Sequence, residues 1–466
     1  MVRIVHIDIK NFKNITHGKV DFRNKASVNS RAELSERDIN GIYGQNGSGK
    51  TALIEAIDAI SYLMRGESIP YNIYGGLIEK RKKAKIELTF FIKEKSSVYR
   101  AVYKAVLKND HASSKIIPID EELSFQLSGY EWKKEKAIAY SVPNHFTETN
   151  DYINDVALSH FKPSNRSAFN DMFERLGLYA SGQNSSVFFC EFTTSTFKKE
   201  YKKQTGDMKE LMNVVISLNR FACVNLHIIK VSQLGYINAL NLIPINATAE
   251  MMTSTIVAKI AYQQEDFRVP ERVYKFLSKT IESINIALES MIYDLCLKLV
   301  VESKSIDKDG EEQYLVKIYS VRGEKQFSVQ YESEGIKRII SILSLLISAY
   351  NNEETTLIID ELDSGLFEFM LGELIGVMER YAKGQLIFTS HNLRVLEKIP
   401  QTGIICSTTN PKNRFITLQG VSGNNNKRDF YIRALTLGGQ KEELYSVEEL
   451  EEIGYAFRKA RMDDED

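Results

Sequence analysis

The chain has 466 residues, enough for two to four domains at roughly 100–200 residues each, or for one domain with a large insertion. Hydrophobic residues make up 43% and charged residues 26%, an ordinary globular make-up that excludes disordered, collagen-like and mucin-like classes. Its 60 Lys and Arg against 61 Asp and Glu leave a net charge of −1, so no global positive field draws it onto nucleic acid or anionic lipid. Any DNA or RNA contact has to come from a local patch or a partner.

The four cysteines, Cys190, Cys223, Cys296 and Cys406, form no CxxC pair, which excludes zinc-ribbon and thioredoxin-type sites. Free thiols in a reducing, cytoplasmic setting are expected. The first residues, MVRIVHIDIKNFKN, alternate apolar and polar side chains and lack the apolar stretch of a signal peptide. The longest apolar run, Ile339 to Tyr350, is broken by serines and falls short of the about twenty residues a membrane span needs. It reads as a core helix, and no membrane partner is expected.

In chain order, Ile4, Ile7, Ile9 and Phe12 mark an N-terminal strand that ends at Asn11-Phe12-Lys13-Asn14. A second strand ends in Ile42-Tyr43 and runs into GQNGSGKT. Leu53, Ile57, Ile60 and Met64 then recur at helical spacing. Segments 85–92, 97–107 and 121–128 read as antiparallel strands, and the one Trp132 follows them. From about 145 to 270 the periodicity is too weak to draw boundaries. Val273, Leu277, Ile281, Ile284, Leu288, Met291 and Leu295 then form a long amphipathic stripe, with a short coiled-coil seam as one way to use it. Strands at 313–320 and 326–331, a helix at 335–350, and buried strands at 355–360 and 385–389 complete the pattern. The tail, RMDDED, reads as frayed, and no internal repeat is visible.

Two motifs carry most of the chemistry. Gly44-Gln45-Asn46-Gly47-Ser48-Gly49-Lys50-Thr51 fits the P-loop pattern GxxxxGK[ST] in full. Its glycines let the backbone N–H groups curl around a phosphate, Lys50 neutralises the β- and γ-phosphates, and the Thr51 hydroxyl ligates Mg²⁺. The helix that follows points its positive end at the anion. Asn46, Gly47, Ser48 and Gly49 complete the cradle. The second motif is Leu357-Ile358-Ile359-Asp360-Glu361, in which an apolar strand delivers Asp360 to a metal shell and sets Glu361 beside it as a general base.

Three weaker signals gain meaning beside these. Leu362-Asp363-Ser364-Gly365-Leu366 follows at once. Thr389-Ser390-His391-Asn392 ends the next strand, where His391 could sense a γ-phosphate. Tyr331-Glu332-Ser333-Glu334-Gly335-Ile336-Lys337-Arg338 opens a helix, either as a plain Ser333 cap or as a second anion site.

As a set, these motifs resemble the RecF/SMC/Rad50 and OLD-like branch of ABC ATPases, and the strand closing in Asn11 to Asn14 is similar to that branch too. The resemblance covers about 1–140 and 275–420. It implies an α/β fold: an ABC-type P-loop ATPase head with an antiparallel β subdomain and a mainly helical insertion. It also implies ATP and Mg²⁺ as cofactors, and a head-to-tail homodimer, or a higher oligomer of dimers. Ser333 and Gly335, with Lys337 or Arg338 nearby, would then act in trans. Asp363 would lie in the D-loop, and Lys13 would touch the nucleotide. No Q-loop glutamine stands out, and Gln183 is the weak candidate.

The domain division expected is 1–140 for the P-loop lobe, 141–300 for the insertion, 301–420 for the second ATPase lobe and 421–466 for a docking extension. Asn426-Lys427-Arg428-Asp429 matches the guanine motif of GTPases but sits among glycines and asparagines, which reads as loop. Short basic runs at Lys80 to Lys85, Lys133 to Lys136 and Lys198 to Lys203 read as solvated faces. The last is interleaved with Phe197 and Tyr201, which leaves nucleic acid as the alternative.

OLD-like nucleases carry a Toprim domain after the ATPase. The stretch beyond His391 is too short for one, and Asp463 and Glu465 have no strand to carry them. The chain therefore looks like the ATPase subunit of an anti-phage system, PARIS first and Septu second. Such a subunit would control a separately encoded effector, a Toprim-type nuclease, on a phage-protein or DNA trigger. The competing readings are a RecF-like DNA-repair ATPase and a scaffold that binds ATP with little turnover.

Overall fold

The computed structural model describes residues 1–22, 38–94, 97–128, 132–142, 155–230, 268–308, 310–420, 426–445 and 450–462. Three sheets organise them. The first has seven antiparallel strands in the order β2-β1-β4-β5-β6-β7-β8. Its members are β1 Val2–Phe12, β2 Ile15–Asp21, β4 Lys83–Glu94, β5 Ser97–Asp110, β6 Lys115–Leu127, β7 Lys136–Ser141 and β8 Asp155–Ser159. Alternation along β4 and β5 sends Ile86, Leu88, Phe90, Tyr99, Ala101 and Tyr103 to the buried face. Helix α1, Lys50–Arg65, packs its apolar stripe into the same core, where each fully buried Leu or Ile contributes about 1.5–3 kcal/mol.

The second sheet runs in the order β17-β16-β3-β15-β14-β9. Strands β3 Asp38–Tyr43, β9 Leu226–Ile229, β14 Thr356–Ile359, β15 Gln385–Thr389 and β16 Ile404–Ser407 are parallel, and β17 Phe415–Thr417 closes one edge antiparallel. The third sheet holds β10 Arg268–Pro270, β11 Cys296–Ile306, β12 Glu312–Arg322 and β13 Lys325–Ser328.

Short α2, Tyr71–Tyr74, follows α1. Helices α3 Arg166–Gln183, α4 Glu191–Glu200 and α5 Gly206–Arg220 lie in the stretch expected as a helical insertion. Phe173, Phe197, Leu211 and Val215 of these helices share the core of β1, β4 and α1. In the same stretch β8 extends the antiparallel sheet, and β9 joins the parallel one. Helix α6, Glu271–Met291, buries Leu277, Ile281, Ile284 and Leu288 against the third sheet and against α7, Glu334–Asn351. Its stripe is thus filled by that sheet and α7 rather than by a coiled-coil seam. Leu295 lies beyond the end of α6, because the helical spacing runs on by coincidence across the turn into β11.

Helices α8 Glu368–Tyr381, α9 Leu393–Lys398, α10 Lys427–Thr436 and α11 Leu450–Met462 complete the described elements. Asn426 caps α10 through its side chain, and Lys427 Nζ donates to the carbonyls of Glu397 and Ile399. The guanine-motif look-alike is therefore a helix start, where a loop was expected. The tail acids Asp463 and Glu465, and residues Gly423, Asn424 and Asn425, lie outside the described residues. All four cysteines are free thiols. No described helix is long and apolar enough to cross a membrane.

Helix α7 is the spine of the second lobe. Ile339, Ile340 and Leu343 face the third sheet, while Ile342, Leu345 and Leu346 face the parallel sheet. Two polar side chains join the antiparallel and parallel sheets. Gln385, fully buried on β15, accepts from Ile4 N at 3.1 Å and donates to Ile4 O at 2.7 Å. Buried Arg3 donates to Asp38 Oδ2 at 2.9 Å, to Lys383 O at 2.7 Å and to Glu353 O. Arg3→Ala strips the cation from Asp38 and leaves two carbonyls unpaired. It should cost about 3–5 kcal/mol in a urea unfolding curve. A loss below about 1 kcal/mol would show that this joint is solvated instead.

Candidate functional site

Parallel strands bring their carboxyl ends to one edge of the sheet, the usual place for a ligand crevice in an α/β fold. Here that edge collects the end of β3, with the P-loop, the end of β15, with His391, and the end of β14, with Asp360. Ile359 pairs with Phe388, and Thr389 with Ile42, so the three strand ends are nearly level.

The P-loop needs glycine at two positions for different reasons. At Gly44 a Cβ would lie 2.0 Å from Ser407 Oγ. Gly49 caps α1 with a left-handed φ of 94°. Ser48 bonds Ser407 at 2.5 Å and Gln45 O at 2.6 Å, which ties the loop to the end of β16. Asn14 donates to Gly47 O, and Arg414 donates to Asn14 O at 2.6 Å and to Thr408 O at 2.8 Å. Asn46 and Gly47 are left exposed, while Lys50 is buried. Lys50 Nζ folds back to donate to the carbonyls of Gly44 and Gln45, each at 2.9 Å. Burial lowers its pKa, opposed by Asp360, Glu361 and Asp363. Thr51 opens the first turn of α1 and is half-buried. Lys13 sits beside this helix, with Nζ 2.8 Å from Glu55.

Asp360 is fully buried. Its Oδ1 accepts from Thr389 Oγ1 at 2.6 Å, while Oδ2 has no hydrogen-bond partner among the described residues. A buried carboxylate oxygen left bare is costly, so the site is suited to a cation. No group of three or more His, Cys, Asp or Glu that could hold a metal occurs among the described residues. Mg²⁺ typically takes one or two protein oxygens and draws its other ligands from phosphate and water. Glu361 stands beside Asp360 with a left-handed φ of 47°.

His391 is exposed at the end of β15, and its N–H donates to Asp363 Oδ2 at 3.0 Å. Partial burial and the Lys50 cation push its imidazole below the usual range, against the pull of Asp363, Glu361 and Asp360.

Ser333 is exposed and caps α7 by accepting from Ile336 N at 3.4 Å. Gly335 allows a close backbone approach, since a Cβ there would lie 2.3 Å from Gly365 O. The segment after Asp363 is thereby pressed onto the start of α7. Lys337 folds back to Glu334 at 2.6 Å. Arg338, expected beside Ser333 in a trans contact, is instead buried and turned inward. Its Nη2 lies 3.4 Å from Asp360 O and 3.2 Å from Glu361 O. The helical period explains this, because Arg338 falls on the face of α7 that meets β14. Burial pulls its guanidinium down to about 10, opposed by Asp360, Asp363 and Glu361. Gln183 is exposed at the end of α3. Motif reading gave no role to Thr389, Asn14, Ser407 or Arg414. Each acts through a partner distant in sequence, so no local spacing marks it.

An AAA-domain family model matches residues 6–236. A second AAA-domain model, described with the AbiEii toxin and type IV TA systems, matches 265–397. None of the curated proteins compared with the chain matches it. Among solved structures, an Smc head bound to the C-winged helix domain of ScpA is 13% identical, with a TM-score of 0.45, over 89% of this chain and 97% of that one. An Smc head with an extended coiled coil, bound to the C-terminal domain of ScpA from Pyrococcus furiosus, is 13% identical, with a TM-score of 0.39, over 90% and 96%. The SMC head domain from Thermotoga maritima is 13% identical, with a TM-score of 0.36, over 90% and 100%.

Lys50→Ala removes the cation that offsets phosphate charge in a partly dry site. Fluorescent-ATP titration should show affinity reduced on the order of 10²-fold. Unchanged affinity together with unchanged turnover would end the P-loop assignment.

Proposed function

We propose that this AAA-type P-loop protein binds and hydrolyses ATP, and that it works as a head-to-tail homodimer or a higher oligomer of dimers. The observation that carries the reading is the level edge of the parallel sheet, where Lys50, Asp360, Glu361 and His391 converge. Lys50 and the N-terminus of α1 would hold the β- and γ-phosphates. Mg²⁺, when bound, would be held by Thr51 and Asp360 and would neutralise charge on the phosphates. Glu361 would take the proton of a water as its oxygen bonds to the γ-phosphorus. The bond from that phosphorus to the β–γ bridging oxygen breaks, and ADP leaves. His391 would hydrogen-bond the γ-phosphate.

Ser333 and Gly335 would meet the nucleotide of a second copy, with Asp363 in the adjoining turn. The exposure of Tyr331 (74%), Phe367 (69%) and Phe369 (58%) around that turn supports an apolar contact there. The role assigned is that of a sensor or scaffold subunit in an anti-phage defence system of PARIS or Septu type. Such a subunit controls a separately encoded, Toprim-type nuclease effector. The toxin description attached to the second AAA-domain model supports this placement. Several lysines of the basic runs are paired with nearby acids: Lys82 with Glu79, Lys85 with Glu87, Lys136 with Asp207 and Glu210, and Lys203 with Glu200. That pairing weighs against the RecF-like alternative, which needs a free cationic face.

Glu361→Gln should keep ATP binding and lower phosphate release on the order of 10²–10⁴-fold, because the amide keeps the shape but is a poor proton acceptor. Turnover within a few fold of the parent would make the chain a slow scaffold or move the base elsewhere. Mixing Ser333→Arg with Lys50→Ala protein should restore at most one composite site per dimer. Full activity of Ser333→Arg alone would refute the trans arrangement.

A further inference from the structure

Glu361 is held from both sides in a conformation that side chains with a Cβ adopt rarely, a φ of 47°. Its N–H donates to Thr389 Oγ1 at 2.7 Å, and the same hydroxyl donates to Asp360 Oδ1 at 2.6 Å. On the other side its carbonyl accepts from Arg338 Nη2 at 3.2 Å and from Ser364 N at 3.0 Å. The next residue is fixed as well, with Leu362 N donating to Thr389 O at 3.0 Å. Thr389 is fully buried and Arg338 nearly so. Arg338 Nε and Nη1 have no hydrogen-bond partner among the described residues, and neither has Asp363 Oδ1. The guanidinium therefore lies under the acid turn with unspent donors.

We infer that Thr389 and Arg338 form a clamp that sets the left-handed backbone of Glu361 and so aims its carboxylate, and that Arg338 makes this aim depend on the seating of α7. Both are positioning residues that act through Glu361, so the inference rests on the reading of Glu361 as the base. The physical reason is specific. A left-handed residue is held only when its surroundings over-determine it. Here one hydroxyl bridges the two acids, and one cation from the helix that starts at Ser333 takes their carbonyls. A shift of α7 at its exposed end would move the Arg338 donors relative to Glu361 O, while Lys50 and the P-loop, which belong to other elements, stay in place.

The test compares Thr389→Val, Thr389→Ser and Arg338→Lys with Glu361→Gln, all in the full chain. Valine keeps the shape of threonine and deletes the hydroxyl. Serine restores it. Lysine keeps the charge but cannot present the planar fork of donors. At saturating Mg²⁺, Thr389→Val and Arg338→Lys should lower kcat on the order of 10²-fold, the scale of an ångström-sized misplacement. Their ATP affinity should stay within about threefold of the parent, and Thr389→Ser should recover most of the rate. Titrating Mg²⁺ separates lost metal affinity at Asp360 from lost aim at Glu361, since the second persists at saturation. If Glu361→Gln abolishes turnover while Thr389→Val and Arg338→Lys run at the parental kcat, the clamp is wrong and the base assignment stands. If Glu361→Gln itself turns over normally, the base assignment fails first. An Arg338→Lys protein that does not fold leaves the Thr389 pair to decide.

Discussion

One buried carboxylate governs this molecule. Asp360 has lost its water on entering the end of β14, and one of its oxygens has no protein partner among the described residues. A charge in that position is tolerated only with compensation nearby. Much of the surrounding structure supplies it. Thr389 takes one oxygen, Arg338 lies behind the backbone, and Lys50 stands within electrostatic reach across the strand end. The pKa of each of the two cations is lowered by burial and held up by the same three acids, Asp360, Glu361 and Asp363. The antiparallel sheet is anchored to this core through Gln385 and Arg3, and β15, lying between the P-loop strand and the acid strand, sets their register.

The first turns of α7 serve two different surroundings. Its exposed start carries Ser333, and one turn further Arg338 lies beneath the acid pair. Gly335 lets the segment after Asp363 press onto that start, since a Cβ there would lie 2.3 Å from Gly365 O. An event at the exposed end thus has a short mechanical route to Glu361. The route consists of one helical turn and the hydrogen bonds of Arg338 to the carbonyls of Asp360 and Glu361.

The placement of the motifs was legible in the sequence where it is local. The P-loop, Asp360-Glu361 and Thr389-Ser390-His391 each need particular residue types at fixed spacing, and each lies at the end of a strand whose apolar run marks it. Strand β15 coincides with its expected span. The harder features depend on distant partners. Strand β2 gives little signal because Gly18 interrupts it, and the reason for that glycine is Phe415, whose ring would lie 2.9 Å from a Cβ. Strand β11 buries only Leu297, so it shows no apolar alternation. Strand β9 is four residues of ordinary composition, and it is an element of the site region only because it pairs with β14. Arg338 reads as one more cation near a signature until α7 is seated and turns it inward.

Asp360, with Thr51, is the proposed protein ligand of the metal that accompanies ATP. The most direct measurement is a calorimetric titration of ATP into the Glu361→Gln chain, with Mg²⁺ and with EDTA, repeated on the Glu361→Gln, Asp360→Ala double variant. Mg²⁺ should tighten ATP binding to the Glu361→Gln chain at least on the order of tenfold, about 1.4 kcal/mol, and the double variant should lose most of that gain. An equal gain from Mg²⁺ with and without Asp360 would contradict it.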